Sequence, residues 1–174
     1  ANNITPDPTR GIGSWSDEDF VRAMREGIGP EGQHYFPSFP YPAFSKMSEE
    51  DLLHLKDYLF SLPPIQRNNQ PHELQFPFNL RLNAWFWNIL FHDPEPTTPD
   101  PSRSASWNRG RYLTEAVAHC AECHTPRNQL GVLRSDLAYA GAKEGPEGKL
   151  TPNITPDQET GIGGWNQDDL VYAL

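Results

Sequence analysis

The chain has very little sulfur. Among 174 residues there are two cysteines and two methionines. Two cysteines three positions apart exclude a disulfide framework. There is no run of eighteen or more apolar residues, so no segment reads as a bilayer-spanning helix. Positive charge is scarce: 14 Lys and Arg stand against 23 Asp and Glu, for a net charge of −9. No basic stripe exists to neutralise phosphates, which argues against a nucleic-acid partner. The chain opens on Ala1 without a basic region followed by an apolar one, so no secretory signal can be read from it. Alternating apolar–polar periodicity does not stand out either, and strands are not expected.

Proline and glycine are plentiful, at 18 and 13 residues. They imply short helices separated by stiff connections. Three helices are expected with clear signals. Ser16 caps Ser16–Glu26, with Asp19 three residues on and Gly27 as the stop. Ser48 caps Ser48–Leu62, Asp51 completes its box, and Leu52, Leu55, Leu59 and Leu62 form a stripe before Pro63-Pro64. A helix near Trp107–His119 carries Tyr112, Leu113, Ala116 and Val117 on its apolar side. Eight prolines fall between 63 and 101. Inside that stretch Leu80–Phe91 is apolar nearly all round, which predicts burial, with packing between modules preferred over docking to a partner or a membrane surface.

An internal repeat organises the chain. Asn3-Ile-Thr-Pro-Asp7 recurs as Asn153-Ile-Thr-Pro-Asp157, Gly11-Ile-Gly13 as Gly161-Ile-Gly163, and Trp15 as Trp165. At an offset of 150, twelve of the twenty-two positions from Asn3 to Met24 are identical. Both copies meet a chain end, so the expectation is the back part of one module followed by the front part of the next. The expected division is 1–62, a connection over 63–106, and 107–174, all of it α-helical or irregular.

The chemistry is concentrated in Cys120-Ala-Glu-Cys123-His124. Cys-x-x-Cys-His is the spacing of covalent haem attachment: two thiols add to the two vinyl groups of haem, and the adjacent histidine binds the iron. A redox dithiol would want a βαβ setting, and a zinc site would want a second ligand pair; neither is present. The sixth iron ligand is then sought among thioethers and imidazoles. Met24 sits on an apolar helix face and reads as core. Met47 lies in a proline-stiffened loop before Ser48 and is read as an axial ligand, in preference to a staple residue. By the repeat it serves a first-module haem, while the methionine for the Cys120/Cys123 haem is expected beyond Leu174. The rival to that preferred reading is a circular permutation in which Met47 caps the His124 haem; loss of a methionine-to-iron charge-transfer band in Met47→Ala would support it, and an unchanged spectrum would sink it. Arg127, Trp15 and Trp165 each have two readings: Arg127 as a propionate partner or a solvated arginine, the tryptophans as indole donors to propionates or as core. Asn153 and Thr155 read as turn organisers. His34, His54, His72, His92 and His119 show no partner pattern.

His119-Cys-Ala-Glu-Cys-His-Thr-Pro-Arg-Asn128, the Asn-Ile-Thr-Pro-Asp…Gly-Ile-Gly-x-Trp block and Phe39-Pro-Tyr-x-x-Phe-x-Lys-Met-Ser48 together resemble one family, the multihaem cytochrome c subunits of bacterial membrane-bound alcohol, aldehyde and gluconate dehydrogenases. The resemblance covers most of the chain. It implies an all-α fold of tandem cytochrome c-like domains, here both incomplete, holding haem c through Cys120, Cys123 and His124. Some members place the distal methionine where this chain has Phe39, others at Met47. The resemblance also implies an electron-transfer subunit rather than a catalytic one. A catalytic dehydrogenase subunit would donate electrons, and ubiquinone or another cytochrome would accept them, on the periplasmic side of the inner membrane and with membrane association. The alternative is a dihaem peroxidase-like enzyme, which would need an open distal position on the iron.

Overall fold

The structure is a computed structural model that describes residues 2–70, 74, 76, 79–143 and 148–173. His72 and Leu174 lie outside the described residues. Seven α-helices are present among them: α1 (Asp17–Glu26), α2 (Tyr41–Phe44), α3 (Glu49–Phe60), α4 (Arg81–Phe91), α5 (Ala105–Tyr112), α6 (Cys120–His124) and α7 (Gln167–Ala173). A π turn spans Leu113–Val117 and a 3₁₀ turn Ser135–Leu137. Among the described residues β pairing is limited to three isolated bridges. The chain divides into two compact units, Ala1–Tyr112 and Leu113–Leu174.

In the first unit α1 forms as its sequence dictates. The Ser16 hydroxyl accepts from the Asp19 N–H, and the Asp19 carboxylate accepts from the Ser16 N–H, a complete capping box. Each such cap stabilises a helix by about 1 kcal/mol. Gly27 ends the helix at φ 67, a left-handed conformation that costs glycine little. A Cβ there would lie 2.7 Å from the Tyr41 ring. Phe20, Ala23 and Met24 of α1 are buried with Tyr41 of α2 and Leu52 of α3. Lys56 of α3 is also buried; its Nζ reaches Asp17 Oδ1 at 2.6 Å and sits 4.8 Å over the Phe60 ring, so the first turn of α1 is tied to the body of α3.

The cap of α3 departs from expectation. Ser48 Oγ accepts from the Asp51 N–H at 3.1 Å. The reciprocal arm is taken by Tyr112, from the end of α5. Its hydroxyl accepts from the Ser48 N–H at 3.1 Å and donates to the Asp51 carboxylate. A long-range phenol thus stands inside the box.

The expected helix over 107–119 is broken. α5 stops at Tyr112, and the next turn closes with the Ala118 N–H donating to the Leu113 carbonyl, 2.8 Å across five residues. Of its expected apolar side only Ala116 is fully buried; Leu113 and Val117 are exposed.

α4 is also corrected. It is a helix, but it is not buried all round: Leu82, Trp85, Phe86, Ile89 and Leu90 are exposed and only Ala84 is fully buried. Within the first unit it packs on α2 and on the end of α1. Trp87 meets Tyr41 edge-on at 6.3 Å. Asn88 Nδ2 donates to the Glu26 carbonyl at 2.6 Å, and His92 Nε2 contacts the Arg25 carbonyl at 2.6 Å. These are carbonyls at the end of α1, which have no partner within their own helix. A narrow face built on small Ala84 and two polar caps therefore docks α4, where the sequence suggested a wholly apolar contact.

His92 makes this docking pH-dependent. Burial pushes its pKa below the ordinary imidazole value, outweighing the Arg25 carbonyl, Asp93 and Glu26, which favour the cation. A depressed folded pKa means the unfolded chain binds the proton more readily. The stability is present above the ordinary histidine value, about 6.5, and is lost as pH falls below it toward the folded value. Unfolding free energy measured across that range should decline with acidity, and His92→Gln should flatten the decline.

The repeat is a repeat of conformation. Ile12 N–H donates to the Thr5 carbonyl at 2.9 Å and Ile162 N–H to the Thr155 carbonyl at 2.9 Å; Trp15 and Trp165 N–H bond Ile12 and Ile162 carbonyls at 3.0 Å. Asp7 Oδ1 gathers Thr9 and Arg10 N–H groups, and Asp157 Oδ1 gathers those of Glu159 and Thr160. Burial pushes the Asp7 carboxyl up, but the bonds from Arg10 and Thr9 prevail and hold it below the usual value; bonds from Thr160 and Glu159 do the same for Asp157. A Cβ on Gly11 would fall 2.1 Å from the Thr5 oxygen, and one on Gly161 2.2 Å from the Thr155 oxygen. Gly11→Ala should cost about 1–3 kcal/mol, the range for forced overpacking, read by denaturant unfolding.

The copies differ in what surrounds them. Asn3 Nδ2 donates to the Ile65 carbonyl at 2.7 Å, holding the segment after α3, whereas Asn153 Nδ2 turns to Thr160 Oγ1 at 2.9 Å. Phe20 of α1 is buried, yet its counterpart Leu170 of α7 is exposed, as are Val171 and Tyr172. Among the described residues no counterpart of Tyr41 and α3 covers α7.

Candidate haem attachment site

The second unit is built around α6. His119 precedes it at φ 42, a left-handed conformation uncommon outside glycine. The short helix then places Cys120, Cys123 and His124 three and four residues apart, which puts them on one face. Both cysteines are free thiols of intermediate exposure. Among the described residues no group of three or more His, Cys, Asp or Glu side chains converges as a metal cluster.

His124 is oriented by the backbone. Its Nδ1 lies 2.8 Å from the Pro152 carbonyl oxygen. A carbonyl only accepts, so Nδ1 carries the proton and Nε2 is the nitrogen left with a lone pair for a metal. This is the outer-shell arrangement that fixes tautomer and ring orientation in metal-bound histidines. The donor set therefore fits haem c: two unpaired thiols and one pre-oriented imidazole within a single helical turn.

The loops around α6 close its free carbonyls. Gly141 N–H donates to the His124 carbonyl at 2.8 Å. Thr151 Oγ1 donates to the Cys123 carbonyl at 2.7 Å. Thr125, buried at the helix end, accepts the Tyr139 N–H on its hydroxyl at 3.0 Å. Pro152, Thr151 and Gly141 went unforeseen in the sequence. Two of them act through the backbone, which has no residue signature, and Thr151 resembles any loop threonine.

The remaining candidates are placed as follows. Arg127 pairs with the Glu122 carboxylate and donates from Nη1 to the Gly131 carbonyl at 2.7 Å, closing the loop that the Arg127–Leu133 bridge defines. Trp165 is about half exposed in the second unit. Trp15 is half-buried in the first unit. Met47 is buried there, and its carbonyl accepts from Arg25 Nη2 at 3.2 Å. Met24 is buried on α1, as its helix face implied. Asn153 and Thr155 organise their turn, with Thr155 N–H donating to Asn153 Oδ1 at 2.8 Å.

Comparison with known proteins found no matching family model. Among curated proteins the chain is 44% identical over 173 residues to a diheme cytochrome c-type protein of Cereibacter sphaeroides, covering 99% of this chain and 56% of the relative. It is 38% identical over 176 residues to the fructose dehydrogenase cytochrome subunit of Gluconobacter japonicus, covering all of this chain and 36% of the relative. It is 32% identical over 184 residues to the cytochrome c subunit of a quinone alcohol dehydrogenase of Gluconobacter oxydans, covering all of this chain and 38% of the relative. The chain thus spans between about a third and just over half of the length of these relatives.

Proposed function

Starting from a chain similar along its whole length to a diheme cytochrome c-type protein and to cytochrome subunits of dehydrogenases, we propose that it transfers electrons on haem c held by Cys120, Cys123 and His124. The observation that carries this reading is the His124 Nδ1 contact to the Pro152 carbonyl at 2.8 Å, beside two free thiols on the same helical turn. When bound, haem supplies a reversible one-electron couple at its iron. The chain's own residues do the rest. Cys120 and Cys123 would hold the haem covalently through their sulfurs. The Pro152 carbonyl holds the Nδ1 proton, which aims Nε2 and makes the imidazole a stronger donor. Trp165, about half exposed, would offer its indole N–H to a propionate. Arg127 has donors beyond the two it already uses. Trp15 would play the role of Trp165 in the first unit, and the buried Met47 would supply a thioether to the iron of a first-module haem. The repeat supports two cytochrome c modules, represented by 1–62 and 107–174 and joined by 63–106.

In this reading the chain performs no bond chemistry on a substrate. Electrons come from a catalytic dehydrogenase subunit and leave to ubiquinone or another cytochrome, on the periplasmic side of the bacterial inner membrane. Thioether formation requires the export-side assembly route, which favours that location. Membrane association is assigned to α4, with a phospholipid surface as its partner. Its outward residues Leu82, Trp85, Phe86, Ile89 and Leu90 are exposed and uncharged. Between 63 and 92 only Glu73 is acidic, against Arg67 and Arg81, in a chain of net charge −9. A stretch poor in acid thus carries the exposed apolar face, so little negative charge stands between that face and an anionic lipid surface.

The test is a pyridine haemochrome assay with intact-mass measurement on chain made in a host that matures cytochromes c. One covalent haem per chain is expected. A chain without haem would overturn the reading.

A further inference from the structure

We infer that Thr151 is a positioning residue for the haem iron: its hydroxyl locks the Cys123 end of α6 to the segment whose next residue, Pro152, orients His124. This rests on the haem reading above and extends it from the residues that touch the group to one that does not.

The argument begins with helix ends. The last four carbonyls of any α-helix lack partners inside it, and in a helix as short as Cys120–His124 such groups dominate. Here their partners are specific. The Ala121 carbonyl accepts from the Thr125 N–H at 3.1 Å and the His124 carbonyl from the Gly141 N–H at 2.8 Å. The Cys123 carbonyl takes the Thr151 hydroxyl at 2.7 Å. That hydroxyl has one proton and two acceptors in reach, the other being the Ala142 carbonyl at 3.3 Å; the shorter contact claims it. Its oxygen meanwhile accepts the Ala142 N–H at 3.1 Å. Ala142 and Thr151 are further joined by backbone bonds of 3.1 and 2.9 Å. Gly141, at φ 84, permits this approach, since a Cβ there would lie 2.7 Å from the Thr151 carbonyl oxygen.

One side chain therefore fastens three pieces of chain: the carbonyl of a thioether-forming cysteine, the 141–142 loop and the peptide leading into Pro152. The Pro152 carbonyl sits one covalent step from this knot and bonds His124 Nδ1 at 2.8 Å. Without the Thr151 hydroxyl, the Cys123 carbonyl loses its partner and the Pro152 carbonyl loses its fixed distance to the imidazole. A longer Nδ1–H···O bond makes the imidazole a weaker donor. A weaker donor stabilises ferric iron less, and the reduction potential rises.

The experiment compares wild type, Thr151→Val and Thr151→Ser in the whole chain matured with haem. It measures reduction potential and the solvent-exchange rate of the His124 Nδ1 proton by NMR. Valine keeps the shape and removes the hydroxyl; serine keeps the hydroxyl and removes the methyl. Thr151→Val should load haem as wild type does, but favour the ferrous state by about tenfold, which is about 59 mV for one electron. Its Nδ1 proton should also exchange faster. Thr151→Ser should match wild type in both. An unchanged potential and exchange rate in Thr151→Val would overturn the assignment. So would a serine variant shifted as far as the valine variant, because shape rather than the hydroxyl would then be responsible. A wild-type chain with no covalent haem would overturn the haem reading beneath it, an outcome separable from both.

Discussion

Replacing Cys120 and Cys123 together with alanine should take covalent haem from one per chain to none. The argument is one of count and geometry. Each thioether forms when a thiol adds its sulfur and its proton across one haem vinyl group, so two thiols are needed for two bonds. The chain has only these two, and both are free. The double variant leaves His124 and its Pro152 contact in place, so any haem it still binds is held by coordination alone and is removed by acidified organic solvent. Each single variant should keep one thioether, with its haemochrome band displaced toward that of a haem with one intact vinyl group. The assay is haem stain on a denaturing gel with intact mass. Covalent haem surviving in the double variant would refute the assignment of the site.

The second large effect is structural. Tyr41→Ala should destabilise the first unit by about 3–5 kcal/mol, the range for removing a fully buried large aromatic. Tyr41 is 0% exposed. Its ring backs the Gly27 turn that ends α1, meets Trp87 of α4 edge-on at 6.3 Å and meets the His92 ring at 4.8 Å. Its loss leaves a cavity where α1, α2 and α4 converge. Domains are stable by about 5–15 kcal/mol in all, so roughly a fifth of that margin or more is at stake. Tyr41→Phe keeps the ring and should retain nearly all of the stability. Denaturant unfolding followed by circular dichroism separates the two variants.

Local chemistry was legible in the sequence and long-range chemistry was not. Ser16, Asp19 and Gly27 announce α1 because a cap is a matter of neighbours along the chain. Cys120, Cys123 and His124 announce the attachment site for the same reason, since their spacing on one helical turn is itself the signal. Asp51 misled, because the group that completes its cluster is Tyr112, from a helix that ends about sixty residues later. α4 misled because apolar composition does not say which side docks. Ala84, Asn88 and His92 decide that, through carbonyls at the end of α1. At the site the missing parts were the Pro152 carbonyl, the Gly141 amide and the Thr151 hydroxyl. Every residue has the first, nearly every residue has the second, and their meaning appears only once the loop has folded over α6.

The two copies of the Asn-Ile-Thr-Pro-Asp turn bear on how such chains are lengthened. The bonds that shape the turn close within it: Ile12 to Thr5, Trp15 to Ile12, Asp7 to Thr9 and Arg10, and likewise in the second copy. The outward bonds gather at its leading edge. In the first copy Asn3 and the Thr5 hydroxyl hold the 65–69 segment. In the second, Asn153 spends its amide on Thr160 instead, and the Ile154 N–H reaches the Tyr139 carbonyl. A piece of chain whose outward obligations sit at one end, and can be met by different neighbours, can be duplicated, spliced or grafted without stranding polar groups in its new setting. Swapping the two turns between their positions is therefore a cut that the fold is already built to accept, and it supplies a natural seam for recombining modules of this kind.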